Sequence, residues 1–396
     1  MLGGVVLTGQ TPCTNIFPAA FKPAKHTDSV LEADAKLEQK RILGAIKSQG
    51  HLDVPLEEKV DEEVELGWLS EPVDLEDVPC TASISRRFAI EQGEKIRLID
   101  DLSDSGVNGA VQTTESPKPQ SLDVVAAMIL ECLKKLNRFQ VLGKTYDLKS
   151  AYRQMFISPD SLDKAYIAYF SAREGKVLIR RMLALPFGAT RAVFSYLRVA
   201  HSMWYIGCKA LKLVWSHFFD DFICLASEQE SRSVDLAVMT LFRLLGWRVS
   251  ENKDKPFSKE FSALGVVIDF DGFLSGDVLF KNTDKRVKEV ASSLRQAVVD
   301  ESLSQKDLSR LRGRMLFAGG QLFGRAGRLC ISALKSDDQK KEASLDEAAK
   351  SAMLKFADLL EAKFPRVVKS CSLDPIYIFT DASYSPDGDK SYCGVG

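Results

Sequence analysis

Between residues 84 and 275 the apolar positions switch repeatedly between a spacing near two and a spacing near 3.6, the marks of strands interleaved with helices. Ser85-Arg86-Arg87-Phe88-Ala89-Ile90 and Lys95-Ile96-Arg97-Leu98-Ile99 alternate on either side of Gln92-Gly93, which predicts a strand pair. Ser121 stands where a helix cap belongs, and Leu122, Val125, Ile129, Leu133 and Leu136 follow on one helical face through about Arg138. A strand is predicted near 139–147, a hairpin near 164–183 turning at Glu174-Gly175-Lys176, and a buried helix over 189–206. Leu211-Lys212-Leu213-Val214-Trp215 and Phe222-Ile223-Cys224-Leu225-Ala226 predict a second hairpin. Val234, Ala237, Val238, Leu241, Leu244 and Leu245 then mark an amphipathic helix ending at Gly246. Hairpins and helices in this order belong to the α+β class, an antiparallel sheet covered by helices.

The flanks read differently. Residues 1–30 show no clear period and several turn residues, and are expected to be a poorly ordered arm; 31–50 is helical and 51–80 acidic. Beyond Gly276 the pattern is helices only, with Thr283 as one cap and Ser304-Gln305-Lys306-Asp307 and Ser344-Leu345-Asp346-Glu347 as box-like starts of two more. A last shift comes at Pro375, where Ile376-Tyr377-Ile378-Phe379 predicts a strand. The expected units are an N-terminal arm over 1–50, an α+β unit over 51–275, a helical unit over 276–370 and a short segment over 371–396.

Composition narrows the class. The 396 residues are 45% hydrophobic and 27% charged, as in ordinary globular proteins of two or three folding units. No apolar run reaches 18 residues and the N-terminus lacks a basic n-region, so neither a membrane span nor a secretory signal is expected, and the protein is placed inside the cell. Eight scattered cysteines without a Cys-x-x-Cys pair favour free thiols over disulfides or zinc. The net charge of −1 hides an uneven distribution: residues 51–80 hold eleven acids and Lys59, a net of −10, which leaves +9 elsewhere. Residues 301–330 carry six bases against two acids, a stripe compatible with a polyanion partner or with a solvated helix face.

The second hairpin carries the chemistry. Phe218-Phe219-Asp220-Asp221 sets two adjacent carboxylates at its tip, and ionised aspartates there imply cations or solvent. An acidic turn and a metal site are both open from this doublet alone. Asp147 ends the strand over 139–147, so neighbouring strand ends hold the acids that a pair of divalent ions, about 3.5–4 Å apart, needs for phosphoryl or nucleotidyl transfer.

Tyr146-Asp147-Leu148-Lys149-Ser150-Ala151-Tyr152, Leu185-Pro186-Phe187-Gly188-Ala189-Thr190 and Phe218-Phe219-Asp220-Asp221 resemble, in this order, motifs A, B and C of retroelement reverse transcriptases, with 73 residues between Asp147 and Asp220. Leu245-Gly246-Trp247-Arg248 through Lys253, then Leu264-Gly265, resembles motifs D and E, and Arg97-Leu98-Ile99-Asp100-Asp101 a fingers motif. The resemblance covers about residues 60–330 and points to LTR-type or DIRS-like retrotransposons. It implies a right-hand polymerase with fingers and palm over 51–275 and a helical thumb and connection over 276–370. The segment 371–396 resembles the first strands of a ribonuclease H domain, with Asp381 as its first metal carboxylate, in a chain expected to be a piece of a longer polyprotein.

The resemblance also implies roles. Asp147 and Asp220 would ligate two Mg²⁺, or Mn²⁺, with Asp221 auxiliary; Lys253 would protonate departing pyrophosphate. Arg97 would grip the triphosphate, Tyr152 would exclude a 2′-hydroxyl, and Phe187 and Gly188 would meet the nucleotide. Arg310, Arg312, Arg314, Arg325 and Arg328 would follow a duplex backbone. The implied partners are a primed RNA or DNA template and deoxynucleoside triphosphates, with no membrane and no stated oligomeric state. Phe187 stands where many retroviral enzymes carry glutamine, and Phe218 where tyrosine is usual. The competing expectations are a decayed or host-retained fragment that only binds nucleic acid, and an RNA-dependent RNA polymerase.

Overall fold

The computed structural model of the chain describes residues 3–93, 95–300, 302–322, 327–334, 342–370, 382–387 and 390–395. Strands β1 (Gly9–Gln10) and β2 (Ala19–Lys22) lead into helices α1 (Asp28–Ala45) and α2 (Asp53–Glu65). The arm expected to be poorly ordered is therefore built into the fold. β1 and β2 flank strand β5 (Val111–Glu115), one parallel and one antiparallel, and Leu7 and Phe17 are buried. Glu115 fixes the arm chemically, accepting hydrogen bonds from the Thr14 and Asn15 backbone and from Arg198. Strands of two to four residues are too short to show a period, which is why this region reads as irregular.

The acidic stretch is also structured. α2 turns Leu56 and Val60 inward, and Asp53 and Glu57 are buried with them, Asp53 accepting from Gln49 N–H and Glu57 from Arg173 N–H and the Ser171 hydroxyl. The hairpin β3 (Ile84–Gln92) and β4 (Lys95–Asp101) forms where the alternation places it, turning through Gly93 at φ 62°. With β7 (Tyr166–Ser171) and β8 (Lys176–Arg181) it makes a sheet of order β4-β3-β7-β8. Helix α3 (Leu122–Lys135) starts at Ser121, whose hydroxyl accepts from Asp123 N–H at 3.3 Å.

The central sheet joins β6 (Val141–Asp147), β9 (Val214–Phe218) and β10 (Asp221–Ser227) in the order β6-β10-β9, all antiparallel. Helices α4 (Thr190–Ala210) and α5 (Ser231–Leu244) cover one face. Tyr146, Phe222, Tyr196, Trp215 and Phe242 meet beneath them in one core with Tyr152 and Trp247. Gly246, at φ 79°, ends the second of these helices as its position in the sequence predicts.

The expectation of helices alone beyond Gly276 is corrected. β11 (Glu260–Ala263), β12 (Val266–Asp269) and β13 (Asp277–Asn282) form an antiparallel sheet that β16 (Arg366–Lys369) completes. Val278 and Phe280 alternate into its core, a period of two within a stretch that reads as helical when only the caps are followed. The helices α6 (Asp284–Asp300), α7 (Gln305–Gly319), α8 (Arg328–Ser332) and α9 (Glu347–Glu361) share a separate core around Met315, Met353 and Phe356. Thr283 and Ser304 cap as expected, with Arg286 N–H and Asp307 N–H donating at 3.3 and 3.1 Å. The cap of α9 is Asp346 rather than Ser344, since Asp346 accepts from Ala349 N–H at 2.7 Å and Ser344 lies in β15 (Glu342–Ser344), paired with β14 (Ser302–Ser304). Strands β17 (Ala382–Asp387) and β18 (Lys390–Val395) pair antiparallel, while Ile376-Tyr377-Ile378-Phe379 and Asp381 lie outside the described residues. Among the described residues no helix is long and apolar enough to cross a membrane, and six cysteines are free thiols.

Candidate active site

Register brings the acids together. β10 lies between β6 and β9, and Asp221 faces both Asp147 and Phe218 across the two ladders. The turn is made by Phe219, at φ 51°, and Asp220, whose carbonyl accepts from Leu148 N–H at 3.3 Å. All three acids are partly buried. Burial first, and then the charges of its neighbours Asp220 and Asp147, push the Asp221 carboxyl up to about 6. Burial also raises Asp220, more than its own backbone hydrogen bond lowers it. The site thus holds negative charge that wants a cation.

Lys253 supplies one such cation. Its Nζ lies 2.7 Å from Asp147 Oδ1, and the loop bearing it is fastened to the strand end by Ser250 N–H donating to Asp147 O at 2.8 Å. The structure therefore places Lys253 beside the acids, while Lys255 lines the same cleft of about 510 Å³ without an ion pair to Asp147.

On the other side of Asp147, Tyr152 is only 6% exposed and packs between Phe187 and Tyr196, with ring centroids 4.9 and 4.7 Å away. Burial, reinforced by Asp220, raises its phenol to about 12, so the hydroxyl is neutral. Phe187 is 57% exposed and presents a ring to solvent. Arg97, Phe187, Gly188, Ser150 and Arg153 line a cleft of about 350 Å³, and Arg97 Nε donates to Gln92 Oε1 at 3.1 Å. At Gly188 a Cβ would lie 2.2 Å from Asp100 O, so glycine is demanded there by packing against β4 as much as by any ligand.

The Asp100-Asp101 doublet divides. Arg87, with a fully buried side chain, holds Asp100 by two hydrogen bonds of 2.6 and 3.0 Å and Glu63 by one of 2.6 Å. Arg153 joins the same network at 2.9 Å from Glu63 and 3.3 Å from Asp100. Burial opposes ionisation of Asp100, but Arg87 and then Arg153 outweigh it and hold the carboxyl below its ordinary value. Asp101 stays partly solvated, 3.9 Å from Arg86.

The described members of the arginine stripe are divided between α7 and α8. Arg310 is paired with Asp307 at 3.0 Å and Arg314 with Glu289 at 3.1 Å; Arg312 shares α7 with them, and Arg325 lies outside the described residues. Arg328 lines a cleft of about 780 Å³ that reaches Asp221, together with Phe218, Phe317 and two arginines absent from the expected set, Arg286 and Arg366. Arg286 donates to Gly265 O and lies 4.4 Å from the Phe317 ring. Arg366 meets Asp123 at 3.2 Å. A further missed group is Arg191 in the first turn of α4, 7% exposed, with Nε and Nη1 lacking hydrogen-bond partners. Single arginines in helices and strands carry no motif, and only the tertiary fold shows which of them share a cleft.

Among the described residues no three His, Cys, Asp or Glu side chains already gather around one ion position. Mg²⁺ asks for less, being held by one or two carboxylates completed by substrate phosphates and water. Asp147, Asp220 and Asp221 fit that demand, because two of them are raised by burial and mutual repulsion that a divalent ion relieves.

No family model matches the chain, and no curated protein matches it by sequence. Solved structures do. The chain is similar to the foamy viral protease-reverse transcriptase dRH in complex with double-stranded DNA, with a TM-score of 0.57 at 14% identity over 92% of this chain. It is likewise similar to the foamy viral protease-reverse transcriptase in complex with double-stranded DNA, with a TM-score of 0.55 at 14% identity over 98% of this chain. It spans 54% of the first of those chains and 71% of the second. The protein has a reverse-transcriptase-like fold.

Proposed function

We propose that the protein is an RNA-directed DNA polymerase of a retroelement, transferring deoxynucleotides to a primer 3′-hydroxyl on an RNA or DNA template. The observation that carries this reading is the register that sets Asp221 opposite Asp147 with Asp220 in the turn between them. In this reading Asp147, Asp220 and Asp221 hold two Mg²⁺, with Mn²⁺ able to substitute. When bound, such ions stabilise charge on the attacking oxygen, the transferred phosphate and the leaving group. Tyr152, fixed between Phe187 and Tyr196, offers a rigid ring edge that excludes a ribose 2′-hydroxyl. Phe187 contacts the nucleotide by its exposed ring and Arg97 attracts the triphosphate across the shared cleft. Lys253, already within hydrogen-bond reach of Asp147, gives a proton to departing pyrophosphate. The β3–β4 sheet then serves as fingers, the central sheet as palm and α6 to α9 as thumb and connection.

The test is primer extension on poly(rA)/oligo(dT) with Mg²⁺ or Mn²⁺. The wild-type chain is expected to extend the primer with dNTPs and not with rNTPs. Asp147→Asn is expected to lower extension by at least about a thousandfold while leaving Tm within a few degrees. Substantial extension by that variant refutes the metal assignment, and efficient use of rNTPs favours an RNA polymerase.

A further inference from the structure

The loop over residues 249–258 runs along the edge of β6 opposite β10. One end is fastened by Ser250 N–H to Asp147 O at 2.8 Å, the other by Gly143 and Ser258, which exchange two backbone hydrogen bonds of 3.0 Å. Between these ends two successive side chains reach different strand residues. Lys253 goes to Asp147, and the Asp254 carboxylate goes to Lys144 Nζ at 2.8 Å. Lys144 lies three residues before Asp147 on the same strand, and its side chain is only 2% exposed. Its ammonium also meets Asp235 of α5 at 2.8 Å and lies 4.6 Å from the Tyr146 ring, whose hydroxyl donates to the same Asp235 at 2.8 Å.

A buried ammonium is expensive to keep, and an aliphatic side chain would fill this space without the desolvation cost. What lysine adds is direction, since it ties the strand carrying Asp147 to the loop carrying Lys253 and to the helix behind both. We propose that Lys144 is a positioning residue for the polymerase reaction: through Asp254 it sets the reach of Lys253 toward the reacting phosphate. This rests on the polymerase reading above and adds a residue that none of the sequence motifs contains.

The tether is tested by amide hydrogen exchange on the full chain, with Lys144→Met and Asp254→Asn, and the role by single-nucleotide extension kinetics. Asp254 is 37% exposed in its side chain, so its variant keeps the question answerable where Lys144→Met fails to fold. Exchange of the Lys253 and Asp254 amides, which donate to Ser250 O and Glu251 O, is expected to quicken at least about tenfold in either variant. The maximal extension rate is expected to fall about 10- to 100-fold. KM for dNTP is expected to hold within about twofold, since the lysine acts on the step rather than on ground-state binding. The double variant is expected to be no slower than the worse single one. Unchanged exchange, an unchanged rate or additive losses in the double variant each overturn the proposal. A wild-type chain that extends no primer overturns the polymerase reading instead, and the exchange data, which need no substrate, tell the two failures apart.

Discussion

At the residue scale, burial acts on two acids of this fold with opposite results. Asp100 gains Arg87 and Arg153, and its carboxyl lies below its ordinary value. Its contribution to stability is present above the unfolded-state value and is lost as pH falls through the folded one. Asp221 gains only other carboxylates and a distant lysine, and rises to about 6. A raised carboxyl binds its proton more tightly in the folded chain, so that stability is full below about 4 and is lost as pH rises through about 6. Asp221→Asn is neutral throughout. In EDTA it should therefore melt on the order of 3 °C above wild type at pH 8, with the gap closing toward pH 4. A gap that does not change with pH shows that burial and the neighbouring acids do not raise the Asp221 carboxyl. Adding Mg²⁺ should raise the wild-type Tm and move the variant less, since ligand that binds only the folded state stabilises it. The doublet itself was legible as sequence, because charged tips between apolar runs have few structural excuses. Lys144 was not, since a lone lysine in a strand reads as solvent-facing until the helix and loop around it are placed.

At the scale of elements, what could be read followed from length and period. The β9–β10 hairpin, α3 and α5 each have enough residues for their pattern to repeat, and their ends fall within a few residues of expectation. β1 and β2 do not, and β13 was hidden because its alternation sits directly before a run of helix caps that sets the reading of the whole stretch. The Arg97–Asp101 segment shows the other limit. Its two aspartates look equivalent in sequence, but β4 points Asp100 into the sheet's packed face and leaves Asp101 at its rim. Asp100→Leu should lower unfolding free energy by about 3–5 kcal/mol, because two buried guanidinium groups are left to share the Glu63 carboxylate. Asp101→Asn should cost under about 1 kcal/mol, its ion pair being partly solvated and long. Urea midpoints compare the two, and equal losses would mean that the network around Arg87 is not what holds α2, β3, β4 and the residues after Asp147 together.

At the scale of the whole molecule, a net charge of −1 says little about where polyanions bind. Three acids of α2 are paired within the chain, Glu63 with Arg87 and Arg153, and Glu57 and Asp61 with Arg173. The basic groups that share the cleft of about 780 Å³ with Asp221 come from far-apart segments: Arg286 from α6, Arg328 from α8 and Arg366 from β16. Of the expected set that also holds Arg325 and Arg328, the three arginines of α7 offer a different path, a duplex that follows Arg310, Arg312 and Arg314. Salt dependence separates the two paths. Each phosphate contact removed should reduce the slope of log affinity against log salt by about 0.9. If primed duplex lies in the cleft, Arg328→Gln and Arg366→Gln should each lower that slope by about this amount and weaken binding on every sequence alike. Arg310→Gln, on α7 and not among the residues that line this cleft, should leave it unchanged. Fluorescence anisotropy with a labelled primer–template between 50 and 200 mM salt, the range over which phosphate contacts dominate affinity, gives all three slopes. The opposite pattern, a slope lost with Arg310 and kept without Arg328 and Arg366, would move the duplex to the outer face of α7 and separate it from Asp221.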